Sequence, residues 1–176
     1  MRYVASLFLA FALLGTTASL AQIKTEVSEM TGVERIESKS MRSLDVKTYA
    51  GNHASFRAAY VNDPNNGISW VISFYGFAPE KTQVSRTNQF RVQADGQPFE
   101  PVRLESKTRS IDNSLLEIKR ATFPRSAFEK IAHANNVTIT IGGAQFLAIE
   151  PRRHDLRQIL KEAPTNNNTP QTASNR

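Results

Sequence analysis

The sequence feature that most constrains the fold is an apolar run at residues 68–77. The run is apolar on both faces of an extended strand, one face carrying Ile68, Trp70, Ile72 and Phe74 and the other Val71, Tyr75 and Phe77. Strands with two apolar faces lie inside a sheet that is covered on both sides. The run therefore predicts a central strand that is covered on two sides, or that has one face covered by a helix.

Shorter segments with alternating apolar residues predict further strands. They lie at residues 33–38 (a short edge strand), 44–49, 54–61, 88–93, 99–104, 115–120, 137–141 and 144–149. Asp95-Gly96 and Gly142-Gly143 favour tight turns, so each predicts a hairpin between its neighbouring strands. Residues 107–113 are polar and predict a loop.

Two helices are predicted late in the chain. Pro124 suits a helix entry, and Ser126 with Glu129 three residues later matches a capping box. Pro151 opens the second helix. The predicted apolar stripes are Phe128, Ile131 and Ala132 on the first helix and Leu156, Ile159 and Leu160 on the second. Many strands followed by two helices predict an α+β fold, with a mainly antiparallel curved sheet of about seven to nine strands and the two late helices packed on it.

The N-terminus has the pattern of a secretory signal peptide. Arg2 supplies a positive charge, residues 3–15 are apolar, and Ser19 and Ala21 are the small residues that precede a cleavage site between Ala21 and Gln22. The apolar run is too short to cross a bilayer, which takes roughly 20 residues. We therefore expect a signal peptide over 1–21, a flexible lead over 22–32, a single α+β domain over 33–162 and a disordered polar tail over 163–176.

The composition excludes several kinds of chemistry. There is no cysteine, which excludes disulfides, thiolate zinc sites, cysteine nucleophiles and a lipid anchor on cysteine. An exported chain without disulfides favours a bacterial periplasm or the extracellular medium. The 22 Lys and Arg against 16 Asp and Glu give a net charge of +6, too diffuse to predict nucleic-acid binding. No transmembrane segment is predicted in the mature chain.

No catalytic, cofactor or metal residue is predicted from motifs. His53, His133 and His154 do not form a metal-binding spacing, and Glu129 with His133 predicts an ordinary helix-surface pair. No nucleophile motif is present.

Glutamates supply the alternative of a hydrolase. Five of them could converge in space as the paired carboxylates of an enzyme acting on glycans or esters: Glu34, Glu37, Glu100, Glu105 and Glu117. Glu117 lies inside a predicted strand, and we expect it on the solvent face because unpaired carboxylates are rarely buried.

Basic residues supply a second alternative. Arg153, Arg157 and Lys161 recur every four residues and predict a cationic ridge on the last helix, able to contact an anionic envelope component or an acidic protein. The competing interpretation is a solvated face whose late cations favour the helix C-terminus.

Several short motifs along the chain carry a resemblance. They are Thr31-Gly32, Arg35-Ile36-Glu37-Ser38, Asp95-Gly96, Glu117, Ile131-Ala132-His133-Ala134, Val137 and Gly142-Gly143. In this arrangement the chain resembles a loose group of exported bacterial proteins of uncharacterised function. The resemblance implies a bacterial exported domain and brings no activity, substrate or catalytic residue. The sequence therefore predicts an exported, non-catalytic binding or envelope-associated module, with the hydrolase and the cationic adaptor as alternatives.

Overall fold

A computed structural model describes residues 23–164 of the chain. The predicted signal peptide (1–21) and residues 165–176 of the predicted tail lie outside the described residues. The strands are β1 (Ile23–Val27), β2 (Glu34–Ser38), β3 (Arg42–Ser43), β4 (Asp45–Thr48), β5 (His53–Asp63), β6 (Gly67–Ala78), β7 (Arg91–Ala94), β8 (Gln97–Phe99), β9 (Arg103–Ile111), β10 (Ser114–Phe123), β11 (Val137–Ile141) and β12 (Ala144–Leu147). The helices are α1 (Arg125–His133) and α2 (His154–Glu162), the latter preceded by a 3₁₀ turn (Glu150–Arg153).

The predicted α+β class and mainly antiparallel sheet are confirmed. The larger sheet has seven strands in the order β1-β2-β5-β6-β10-β9, with β3 also paired to β5. Five further strands form a second sheet in the order β4-β12-β11-β7-β8. The sequence did not predict this division, because an alternating pattern identifies a strand without identifying its partners.

The apolar run at residues 68–77 forms the central strand that the sequence predicts. It lies in β6, which pairs with β5 on one side and β10 on the other. On the inner face of β6 the Phe74 ring packs against Phe146 of the second sheet, with centroids 4.7 Å apart. The Trp70 ring packs against Phe128 of α1 at 5.3 Å. The inner face is therefore covered by the second sheet at one end and by helix α1 at the other.

Both helices bury the predicted apolar stripes. In α1 the buried residues include Phe128, Ile131 and Ala132; in α2 Leu156 and Ile159 are buried and Leu160 is partly buried against the core. The predicted capping box is wrong. Helix α1 begins at Arg125 with Pro124 as its N-cap and no capping side chain, so Ser126 already lies within the first turn.

The predicted boundaries fail at two exposed strands. Strand β1 lies within the segment predicted as a flexible lead, and its pairing with β2 removes β2 from the sheet edge. Strand β9 runs through most of the predicted 107–113 loop, paired along its length with β10. Apart from Leu104 its residues are exposed, so an edge position can be strand without carrying an apolar alternation. Within the described residues, no helix is long and apolar enough to cross a membrane.

Candidate functional site

Arg153, predicted as the first member of a cationic ridge, is buried. It is 1% exposed, and its guanidinium donates to the carbonyl oxygens of Ala148 (2.8 Å), Asn135 (2.9 Å), Ile131 (3.3 Å) and Ala134. Burial lowers the pKa of this guanidinium. Arg153 therefore caps the C-terminal carbonyls of α1 and cannot contact a partner, which corrects the prediction.

The other two ridge residues are only partly available. Arg157 forms an ion pair with Glu150 and donates to the carbonyl of Ala132 at 3.3 Å. Lys161 is exposed near the end of α2. The ridge is thus reduced to one exposed lysine beside one paired arginine.

Glu117, predicted to face solvent, is also buried. It is 1% exposed and accepts hydrogen bonds from the Tyr49 hydroxyl (2.8 Å), the Thr82 hydroxyl (2.7 Å) and the Thr82 backbone N–H (2.9 Å). Burial acts to raise the pKa of this carboxyl, but the hydrogen bonds from Thr82 and Tyr49 outweigh it and hold the pKa below its usual value. The carboxylate is therefore a satisfied internal anion, which explains why it tolerates burial.

A glycine in the central strand makes room for this network. Gly76 lies directly opposite Glu117 in the β6–β10 ladder. A Cβ at Gly76 would stand 2.3 Å from the Tyr49 hydroxyl. A glycine inside a strand often marks such a close approach, and Gly76 was the available sequence signal for this site.

Lys119 lies two residues further along the same face of β10. It is 1% exposed and donates to the Ser106 hydroxyl at 2.7 Å and to the backbone carbonyl of Thr87. Burial lowers the pKa of this amine, while the charge of Glu117 acts to raise it. Glu117 and Lys119 thus bind residues 82 and 87 of the connection between β6 and β7. Their role is to fix this segment between the two sheets.

The five glutamates of the hydrolase alternative do not come together. Glu117 faces the interior, and Glu100 pairs with Arg91 of the second sheet at 2.8 Å. Glu37 and Glu105 lie on the open face of the larger sheet, but their strands, β2 and β9, are four strand spacings apart, about 19 Å along a flat sheet. Paired glycosidase carboxylates stand about 5–9.5 Å apart. Glu34 is adjacent to Arg35 on β2 and therefore lies on the opposite face of the strand from Arg35 and Glu37.

The open face of the larger sheet carries a groove of about 420 Å³. We call it the sheet groove. Its charged lining residues are Arg35, Glu37, Asp63, Arg57, Arg103, Glu105 and Arg120, and its floor includes Ser69, Val71 and Ser73. These residues come from β2, β5, β6, β10 and β9, so the groove crosses the sheet from strand to strand.

The two outer carboxylates of the groove are engaged mainly by outer cations. Glu37 lies 3.0 Å from the Lys24 amine and 3.8 Å from Arg57. Glu105 lies 2.9 Å from Arg103 and 3.9 Å from Arg120. The two inner arginines, Arg57 and Arg120, are therefore weakly paired, and so is Arg35, which lies 3.8 Å from Glu37.

The histidines remain apart. His53 lies on β5 against the Phe77 ring, His133 ends α1 and His154 begins α2. Between residues 23 and 164, no group of three or more His, Asp or Glu side chains is arranged to hold a metal ion.

These features define a two-sheet α+β domain with one open, charged sheet face. No protein-family model, curated protein or solved structure matches the chain. The chemistry of the sheet groove is therefore the basis on which a function can be proposed.

Proposed function

We propose that the protein is an exported, non-catalytic binding module of the bacterial envelope or extracellular medium, and that the sheet groove is its ligand-binding surface. The observation that carries the proposal is the groove itself, about 420 Å³ in volume and lined by side chains from five strands. Export is supported by the signal-peptide pattern of residues 1–21.

Binding suits this groove better than catalysis. Its lining includes no histidine, and Glu37 and Glu105 each have an ion pair of 3.0 Å or shorter to a cation. The third carboxylate, Asp63, accepts hydrogen bonds from the Asn65 backbone N–H and the Asn66 amide. A general acid or nucleophile needs a group that is free to exchange a proton or attack. The groove instead offers charged side chains whose carboxylates are already held in ion pairs or hydrogen bonds.

The groove also indicates how a ligand is recognised. The backbones of β5, β6 and β10 are paired on both sides, so a peptide cannot bind here by adding a strand. Recognition falls to side chains spread over about 19 Å, four strand spacings across the sheet. An elongated polar ligand lying across the strands fits this arrangement. Because Arg153 is buried, α2 does not offer the predicted ridge to an anionic partner. We therefore assign the anionic partner to the open sheet face.

Filling the groove tests the proposal. Thr122 lies on β10 in the groove lining, and Thr122→Trp places a large ring in the space that the ligand would occupy. Thr140→Trp on β11 of the second sheet is the matched control, since Thr140 is also half-buried. Both variants and the chain from Gln22 are applied to an array of neutral and acidic glycans, with circular dichroism to verify folding.

We expect at least a tenfold loss of array binding for Thr122→Trp and unchanged binding for Thr140→Trp. Equal binding by a folded Thr122→Trp variant, or no binding of any glycan by the unmodified chain, would contradict the sheet groove as the ligand site.

A further inference from the structure

We infer that the ligand is an acidic polysaccharide, and that one of its oxyanions is held between Arg57 and Arg120 above Ser73. The inference rests on the proposed function of the sheet groove and assigns the chemistry of its ligand.

The strand register puts these three residues in one line across the sheet. Arg57 on β5 pairs with Ser73 on β6, and Ser73 pairs with Arg120 on β10. Directly paired residues share a face, so the two arginines flank one small side chain. Their backbones are two strand spacings apart, about 10 Å. The Arg57 guanidinium lies toward β2, near Lys39 and Glu37. The Arg120 guanidinium lies toward β9, near Glu105. Both arms therefore turn inward when they close on a group that sits over Ser73.

The charges around this line leave room for an anion. The nearest carboxylate oxygens are 3.8 Å from Arg57 and 3.9 Å from Arg120, longer than the usual charge-assisted hydrogen bond of about 2.7–2.9 Å. Glu37 and Glu105 are held more closely by Lys24 and Arg103. An incoming oxyanion therefore does not have to displace a tight internal ion pair.

A buried donor lacks a partner at the same place. The Nε of Arg57 is buried, and no described residue accepts a hydrogen bond from it. The other end of this guanidinium makes one 3.4 Å bond, to the carbonyl of Lys39. Buried polar groups are normally satisfied, and this unpaired Nε is a donor that an inward turn of the Arg57 side chain brings to an acceptor in the groove. The planar fork of arginine matches the oxygen pairs of carboxylate, sulfate and phosphate groups.

The floor of the groove favours a glycan as the carrier of this oxyanion. Ser69, Ser73 and Thr122 contribute hydroxyl groups to the lining. The uncharged remainder includes Val33, Ala59, Val61, Val71 and Tyr75. A peptide that binds by strand addition needs a free strand edge, and β5, β6 and β10 are paired on both sides. Arginine clusters also bind acidic peptides, and poly-glutamate tests that occupant. A hydroxyl-rich chain with a negative charge meets both the polar floor and the two arginines.

The test removes the two arginines and compares polymers of known charge. The double variant Arg57→Gln/Arg120→Gln is matched with Arg91→Gln/Lys161→Gln, which removes the same charge from the second sheet and from α2. Each chain, starting at Gln22, is titrated with polygalacturonate, dextran sulfate, neutral dextran and poly-glutamate. Calorimetry is run at two salt concentrations, because contacts between charged groups weaken as salt rises.

We expect polygalacturonate or dextran sulfate to bind the unmodified chain and the control, and to bind the Arg57/Arg120 variant at least tenfold more weakly, with no binding of neutral dextran. Preference between the two polymers assigns the oxyanion as carboxylate or sulfate. Equal affinity of the two double variants overturns the arginine site, while loss of binding in Thr122→Trp alone would leave the groove standing. Binding of poly-glutamate and of neither acidic glycan overturns the polysaccharide assignment.

Discussion

The Tyr49 hydroxyl donates a 2.8 Å hydrogen bond to the Glu117 carboxylate and so links the two sheets of the domain. Tyr49 follows β4 of the second sheet, and Glu117 lies on β10 of the larger one. The Tyr49 ring packs edge-on against Phe146 with centroids 5.3 Å apart. Burial and the bond to Glu117 raise the pKa of this phenol well above its usual value. Tyr49 therefore stays protonated and remains a hydrogen-bond donor at all ordinary pH values.

Removing that donor should destabilise the fold. Tyr49→Phe keeps the ring but leaves the buried carboxylate one hydrogen bond short, and bonds to charged groups contribute about 1.5–3 kcal/mol. We expect the free energy of unfolding in urea to fall by about that amount. Tyr75→Phe, in the half-buried lining of the groove, is the control and should change little. An equal effect of the two substitutions would show that the Tyr49–Glu117 bond adds no stability.

The depressed pKa of Glu117 predicts the direction of one pH dependence. Because the folded-state pKa lies below the unfolded value, ionised Glu117 stabilises the protein above the unfolded pKa of about 4.5. That stability is lost as pH falls through the folded pKa. Glu117→Gln should therefore lower the melting temperature at pH 7 and flatten its decline below about pH 4.5. Glu129→Gln on the exposed side of α1 should keep the unmodified pH profile; an unchanged decline in Glu117→Gln would refute the prediction.

Arg153 should be intolerant even of lysine. Its guanidinium donates hydrogen bonds to the carbonyls of Ile131, Asn135 and Ala148. The single ammonium group of a lysine cannot reach all three. Loss of two such bonds predicts a decrease of about 3 kcal/mol in unfolding free energy for Arg153→Lys. Arg91→Lys, in an exposed ion pair with Glu100, should cost less than about 1 kcal/mol. A similarly small loss of stability for Arg153→Lys would contradict the role of Arg153 as a cap of α1.

Asp155 should be a second electrostatic anchor. This carboxylate is fully buried and accepts two 2.8 Å hydrogen bonds from Arg42, which joins α2 to β3. Breaking a buried pair from one side costs about 3–5 kcal/mol, less here because Arg42 reaches solvent, so we expect about 2–3 kcal/mol for Asp155→Asn. Asp45→Asn provides the comparison, because the Asp45 carboxylate is 49% exposed in its ion pair with Arg152. Similar chemical-denaturation midpoints for the two variants would contradict a special role for Asp155.

The strands that the sequence predicts best are those with buried residues. Strands β5 and β11 bury alternate residues over most of their length, and that alternation is visible in the chain. Strand β6 buries residues 70–74 in succession and is visible as an apolar run. Strand β4 is exposed and was still predicted from its alternation. Strand β9 lies at an edge with nearly every residue exposed, so pairing with β10 gives it no apolar pattern. Backbone hydrogen bonds to β10 make this segment a strand, and they leave no hydropathy pattern in the sequence.

The buried charges were missed for a different reason. A charged residue in a strand is usually exposed, and the partners that make burial of Glu117 tolerable, Tyr49 and Thr82, are distant in sequence. The predicted ridge failed because Arg153 lies in the 3₁₀ turn, before α2 begins at His154, so its four-residue spacing to Arg157 does not continue one helical face. The sheet groove could not be predicted because its arginines are aligned only by strand register.

A ¹H–¹⁵N correlation titration of the chain from Gln22 with short oligogalacturonates locates bound ligand residue by residue. The binding site proposed above predicts saturable shifts concentrated at Arg57, Ser73 and Arg120, with the Arg57 Nε–H among the most affected signals. Shifts confined to α2 around Arg157 and Lys161, or spread without a centre over the surface, would contradict it.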